Sequence, residues 1–172
     1  TNKNMAKLTN VHTERIFEDE LTAHLRTHGW SVRTHLKDAT AYSRELALYP
    51  DDLVAFIKET QKDEWEKFRK WHNGDSEKML AKRVAEQLDR WGTLHLLRHG
   101  FKDRDARFFL CQFMPANRKN EQLWNWYQSN RLTVIRQLHY SLHNENSIDL
   151  VLFVNGLPVA TAELKTDLTQ NI

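Results

Sequence analysis

In the segment TERIFEDELTAHLRTHGW, residues 13–30, the apolar positions Ile16, Phe17, Leu21 and Leu25 fall near helical spacing, and Gly29 supplies a stop after the last turn. An amphipathic helix from Thr13 to Gly29 is predicted. Glu14 and Glu18 lie one turn apart on a shared face while Glu20 points elsewhere, and on helix grounds alone they read as a solvated acidic first turn favoured by the helix dipole. WSVRTH then reads as a short strand. Over residues 51–91, Leu53, Phe56, Ile57, Trp65, Phe68 and Trp71 precede the HNGDS break, and Met79, Leu80, Val84, Leu88 and Trp91 follow it. Two helices joined at Gly74 fit this pattern, with Asp75 or Ser76 capping the second. Aromatic residues at such spacing read first as core and only second as stacking surfaces for bases. ARFFLCQF reads as a buried strand and NEQLWNWYQSN as a short helix, while RLTVIRQLHY, with Leu132, Val134 and Ile135, reads as a further strand. The chain has no internal repeat and no low-complexity segment.

The stretch SIDLVLFVNGLPVATAELKTDL, residues 147–168, contains two apolar runs joined by Asn155-Gly156, a hairpin of strands covered on both faces and central in a sheet. Alternation on the second strand puts Val159, Thr161, Glu163 and Lys165 on one face. A two-residue loop pairs Val154 with Leu157 and sets Asp149 opposite Ala162, away from Glu163. A three-residue loop, or one bulge, sets Asp149 opposite Glu163 on the same face. The second register is expected if these charges are functional.

Two carboxylates and a lysine on adjacent strands suit a hard divalent ion such as Mg²⁺, which keeps several waters and takes phosphate oxygens as further ligands. Such an ion lowers the pKa of a water and offsets charge in a phosphoryl transition state, while a lysine nearby orients that water or neutralises the scissile phosphate. The plainer reading is an edge hairpin with solvated charges, where Glu163 and Lys165 form a surface pair worth up to ~1 kcal/mol. By spacing alone the pattern D-x(13)-E-x-K is weak.

Composition narrows the field. At 172 residues and 40% hydrophobic, one domain over 1–172 is expected. Lys plus Arg is 25 against 23 for Asp plus Glu, a net charge of +2, so any contact with DNA is local rather than a broad cationic field. One cysteine, Cys111, leaves no intramolecular disulfide and no thiolate zinc site, in keeping with a reducing cytoplasm. No run is long and apolar enough for a membrane span, and TNKNMAKLTN lacks the apolar core of a signal peptide. No phosphate-cradling loop or dinucleotide fingerprint is present. His24 and His28 stand at i and i+4 without the further ligands zinc requires, and read as surface histidines.

The run NRLTVIRQLHYSLHNENSIDLVLFVNGLPVATAELKTDLTQ, with FFLCQFMPANRKNEQLW before it and ERIFEDELTAHLRTHGW near the start, resembles the N-terminal nuclease domain of the restriction subunit of type I restriction-modification enzymes. The resemblance covers most of the chain and implies the α/β, restriction-endonuclease-like fold of the PD-(D/E)xK superfamily, here with a long helical insertion. It further implies that Asp149 and Glu163 are metal ligands assisted by the backbone carbonyl of Leu164, that Lys165 is the catalytic lysine, and that Glu18, or else Glu14, is a supporting acid from the first helix. Ile148 stands where the superfamily name has proline, at a position that varies. The superfamily core is an αβββαβ unit, and the family continues past Ile172 into a helix with a Gln-x-x-x-Tyr motif, a core strand and a helicase-like translocase. The last core helix and strand are therefore expected to be missing from this chain.

Implied too are double-stranded DNA as substrate and Mg²⁺ as cofactor. In the parent complex the resemblance implies a specificity subunit, modification subunits using S-adenosylmethionine, and an ATP-driven motor region of the same subunit. The rival expectation is a non-catalytic docking module that contacts motor or modification subunits through the aromatic helices of residues 51–91. A free-standing nuclease such as a junction resolvase fits less well, given the long helical insertion and the absence of a strongly basic face.

Overall fold

The computed structural model describes residues 2–34, 41–72 and 74–165, the stretch 2–13 as backbone only. His35, at the end of the first expected strand, lies outside them. Helix α1 (Asn2–Thr27) begins well before Thr13. It closes as the Gly29 signal implies: Gly29 N–H donates to Arg26 O and Trp30 N–H to Leu25 O, with Gly29 at φ +86°, a Schellman ending. The buried face of α1 is only partly the expected one, with Leu21 and Leu25 half-buried. Ile16 and Phe17 are 46% and 54% exposed, whereas Glu18 and Thr22 are buried. Glu18 is thus no solvated first-turn acid.

Strand β1 (Ser31–Thr34) leads to three helices rather than two: α2 (Pro50–Thr60), α3 (Lys62–Trp71) and α4 (Ser76–Trp91). Proline at the start of α2 and the Asp75 side chain accepting from Lys78 N–H at α4 mark their beginnings. The added break falls at Gln61, whose buried side-chain amide accepts from Phe109 N–H and donates to Phe109 O, both at 2.8 Å. That amide acts as a short strand neighbour, and it explains why ARFFLCQF is a strand only over β3 (Ala106–Phe108), paired with β2 (Phe101–Asp103). Beyond it the backbone bonds side chains instead: Leu110 O accepts from Asn155, and Gln112 exchanges two bonds with Asn130. A short helix α5 (Thr93–His99) precedes β2, and α6 (Glu121–Gln128) matches the expected helix.

The main sheet has the order β1-β4-β5-β6, with β4 (Leu132–His139), β5 (Ser147–Val154) and β6 (Leu157–Ala162) forming an antiparallel meander and β1 running parallel to β4. The architecture is mixed α/β. Among the described strands β6 is an edge, with Val159 to Thr161 exposed, so the expectation of two central strands holds for β5 alone. One face of the sheet packs Ile135, Leu138, Val151 and Phe153 against Tyr42 and Tyr49, with the Tyr49 and Phe153 rings edge-to-face at 5.0 Å. A second cluster joins α2 to α5 and the small hairpin, and Leu157 enters it. Of the tryptophans in the helical region only Trp65 is core, since Trp71 and Trp91 are exposed. Asp52, near the start of α2, accepts from Arg33 on β1 (2.9 Å) and Thr133 on β4 (3.1 Å), fastening the helical layer to the sheet. Among the described residues no helix is long and apolar enough to cross a membrane.

Candidate metal centre

The charged residues of the hairpin are placed by its register. Asn155 (φ +48°) and Gly156 (φ +81°) form a two-residue turn with both central residues left-handed, the pattern of a type I′ hairpin, and Val154 pairs with Leu157. Left alone, that turn would set Asp149 opposite Ala162. A bulge intervenes: Leu152 pairs with Ala160 but Phe153 with Pro158, so Val159 is the extra residue. The ladder resumes one step later, with Leu150 opposite Ala162. Continuing that register by one residue brings Asp149 opposite Glu163.

Hydrogen bonds agree with this placement. Leu164 N–H donates to Asp149 Oδ2 at 2.7 Å, and Gln137 Nε2 donates to Oδ1 at 3.1 Å. The Asp149 carboxylate is half-buried and tied to both neighbouring segments, while Glu163 and Lys165 lie just past β6 with exposed side chains. Of Leu164, the resemblance singles out the carbonyl; the interaction observed is that of its N–H. Among the described residues no group of three or more His, Cys, Asp or Glu converges to hold a metal ion. The donors this hairpin offers are the Asp149 and Glu163 carboxylates and the main-chain carbonyl of Leu164, all hard oxygens. Such a set fits Mg²⁺, which tolerates few protein ligands because it retains its waters.

Glu18 is held elsewhere. Its Oε1 accepts from Arg136 Nε at 2.6 Å, and Arg136 also reaches Asp19 at 2.7 Å. Arg136 pairs across the ladder with Leu150, next to Asp149. The bond to Glu18 raises the already high pKa of the guanidinium, which stays charged. Glu14, one turn away, is half-buried. Arg136→Ala is expected to destabilise the chain by about 1–3 kcal/mol, less than a fully buried pair because the guanidinium keeps partial contact with water. Adding Glu18→Gln should recover part of the loss in urea unfolding, since the buried carboxylate is then gone and the one left without Arg136, Asp19, is exposed to water; an unchanged midpoint for Arg136→Ala would contradict this role.

The family model for the N terminus of the type I restriction enzyme R protein matches residues 12–172. The chain belongs to this family. No curated protein and no solved structure matches it. For an R-protein N-terminal region, the hairpin with Asp149 and Glu163 and the α1 clamp through Glu18 both lie inside the matched span. Two residues near the site escaped sequence reasoning. Arg136 and Gln137 sit where the alternation of RLTVIRQLHY fails, between Ile135 and Leu138, and that failure was the available signal.

Proposed function

We propose that this R-protein N-terminal region is a Mg²⁺-dependent DNA endonuclease domain with a restriction-endonuclease-like PD-(D/E)xK core, spanning the chain as one domain. The observation that carries this reading is the bulge at Val159, which brings Asp149 to the level of Glu163 despite a two-residue turn that would separate them. A bulge that re-aims a charged pair is a feature associated with active sites. Asp149 and Glu163 would hold the ion, with the Leu164 carbonyl as third donor. When bound, Mg²⁺ supplies Lewis acidity at the phosphate and lowers the pKa of the attacking water. The exposed Lys165 ammonium orients that water or neutralises the scissile phosphate. The water oxygen bonds phosphorus in line, the bond to the 3′ oxygen breaks, and the ends left are a 5′-phosphate and a 3′-hydroxyl. Glu18, with Glu14 as its fallback, is the supporting acid of this reading, its carboxylate bonded to Arg136.

In the parent enzyme, recognition falls to a specificity subunit, methylation by S-adenosylmethionine to modification subunits, and ATP-driven translocation to a motor region of the same subunit. Cleavage of unmodified foreign DNA in the cytoplasm follows from that division. A net charge of +2 suits a nuclease delivered to its DNA rather than one that must bind tightly alone. The second reading, a non-catalytic docking module for motor or modification subunits, draws support from the exposed Trp71 and Trp91 on the helical layer. Incubating supercoiled plasmid with the 172-residue chain in Mg²⁺ and in EDTA separates the two. Nicking confined to Mg²⁺ supports the nuclease; intact plasmid in both calls for a repeat with residues past Ile172 restored, and silence there favours docking.

A further inference from the structure

Gln137 lies within β4 with φ +51°, a left-handed backbone that a strand residue other than glycine adopts only at a cost. The irregularity is shared by two strands. Ile135 and Leu138, three residues apart, enter the same core cluster, and across the ladder Val151 and Ile148 do the same. Strict alternation would put the members of each pair on opposite faces. The slip occurs at the level of Gln137 and Asp149, which face each other between the pairs Arg136–Leu150 and Leu138–Ile148.

The side chain of Gln137 uses this backbone. Its Nε2 donates to Asp149 Oδ1 at 3.1 Å, and its Oε1 accepts from Ser147 Oγ at 3.3 Å. The amide orientation follows from its partners, because an ionised carboxylate only accepts and so faces the NH₂ group. Together with the Leu164 N–H on Oδ2, this leaves the carboxylate tied through both oxygens, each with a lone pair to spare. Exposed hydrogen bonds of this kind add little to folding, so they do not by themselves explain a strained residue in mid-strand. Strain retained beside a functional carboxylate is typical of positioning.

We propose that Gln137 is a positioning residue for divalent-cation binding by Asp149, fixing through its amide the orientation in which the carboxylate meets the ion; the proposal rests on the nuclease reading above. Partners that orient a metal-ligating carboxylate typically change affinity by about 10–100-fold when removed. The test is Mn²⁺ titration of the 172-residue chain followed by the electron paramagnetic resonance of free Mn²⁺, with thermal unfolding in EDTA measured in parallel. Gln137→Ala removes the amide and keeps the strain. Gln137→Gly removes the amide and relieves the strain. Both variants are expected to bind Mn²⁺ about 10–100-fold more weakly than the parent, with Gln137→Gly unfolding at or above the parental temperature. Parental Mn²⁺ affinity in Gln137→Gly would overturn the proposal, as would a Gln137→Gly chain less stable than the parent, which would assign the residue to packing. Asp149→Ala separates the two levels of inference. Binding that is lost in Asp149→Ala but intact in the Gln137 variants sinks the positioning role alone, whereas a parent chain that binds no Mn²⁺ sinks the nuclease reading with it.

Discussion

Gly156→Ala is expected to cost roughly 2–5 kcal/mol, lowering the melting temperature by roughly 5–20 °C. Two costs combine. At φ +81° an alanine is strained wherever it sits, and a Cβ on Gly156 would lie 2.2 Å from Tyr49 O and 3.1 Å from Leu53 N. These are backbone atoms at the start of α2, and Tyr49 N–H also donates to Gly156 O at 2.9 Å, so the turn cannot move without the helix. The neighbouring Asn155 is fully buried. Its amide donates to Leu110 O and Asn130 Oδ1, and its Oδ1 accepts from Arg131 N–H. A hairpin turn is here an internal joint between sheet and helical layer. Gly29 provides the control, with a similar φ of +86° and nothing within 4 Å of an added Cβ. Gly29→Ala should show only the dihedral cost of about 1–2 kcal/mol. Equal losses for the two substitutions would mean that the contact with Tyr49 is not a constraint.

The largest effects on activity are expected at Asp149 and Lys165, and they should differ in kind. Asp149→Ala removes one of two carboxylates together with the acceptor for Leu164 N–H and Gln137, so both ion binding and nicking should vanish. Lys165→Ala leaves the carboxylates untouched. It should bind Mn²⁺ as the parent does yet nick plasmid about 10²–10³-fold more slowly, the loss usual when one preorganised group serving a transition-state charge is deleted. Measuring nicking rates and Mn²⁺ affinity on the same preparations resolves these roles. Loss of Mn²⁺ binding in Lys165→Ala would place the lysine in the fold of the segment rather than in the chemistry.

Much of the scaffold was legible in the residues, and the failures have identifiable causes. The Asn-Gly turn, the β5 run, α6 and the Asp75 cap all depend on local backbone preferences, which neighbouring residues determine. Which of two registers the hairpin adopts could be posed from the spacing of Asp149 and Glu163, but the answer came from a bulge at Val159, beside Pro158, the residue type confined within strands to edges and bulges. Helix α1, its Gly29 stop and the inward side of Leu21 and Leu25 are as expected, but the first half of its face is turned by a distant partner: Glu18 goes inward to meet Arg136, and Ile16 and Phe17 lie outside. ARFFLCQF was misread for the same reason, since side chains of Gln61, Asn130 and Asn155 take its backbone bonds in place of a ladder. Burial of β6 was overestimated because the apolar run outweighed Pro158, which has no N–H for a further ladder and marks an edge strand. The roles proposed for Asp149, Glu163 and Lys165 rest on family resemblance, and the register adds only that Asp149 and Glu163 stand at one level of the hairpin.

Coupling between Asp149 and Glu163 is the most direct probe of a shared ion. Mn²⁺ affinity should be measured for Asp149→Asn, Glu163→Gln and the double variant. If one ion bridges the two carboxylates, each single substitution should remove most of the binding, and the double variant should be little worse than either. Losses that simply add, or parental affinity in Glu163→Gln, would show that the two carboxylates do not share an ion and would contradict the proposed centre.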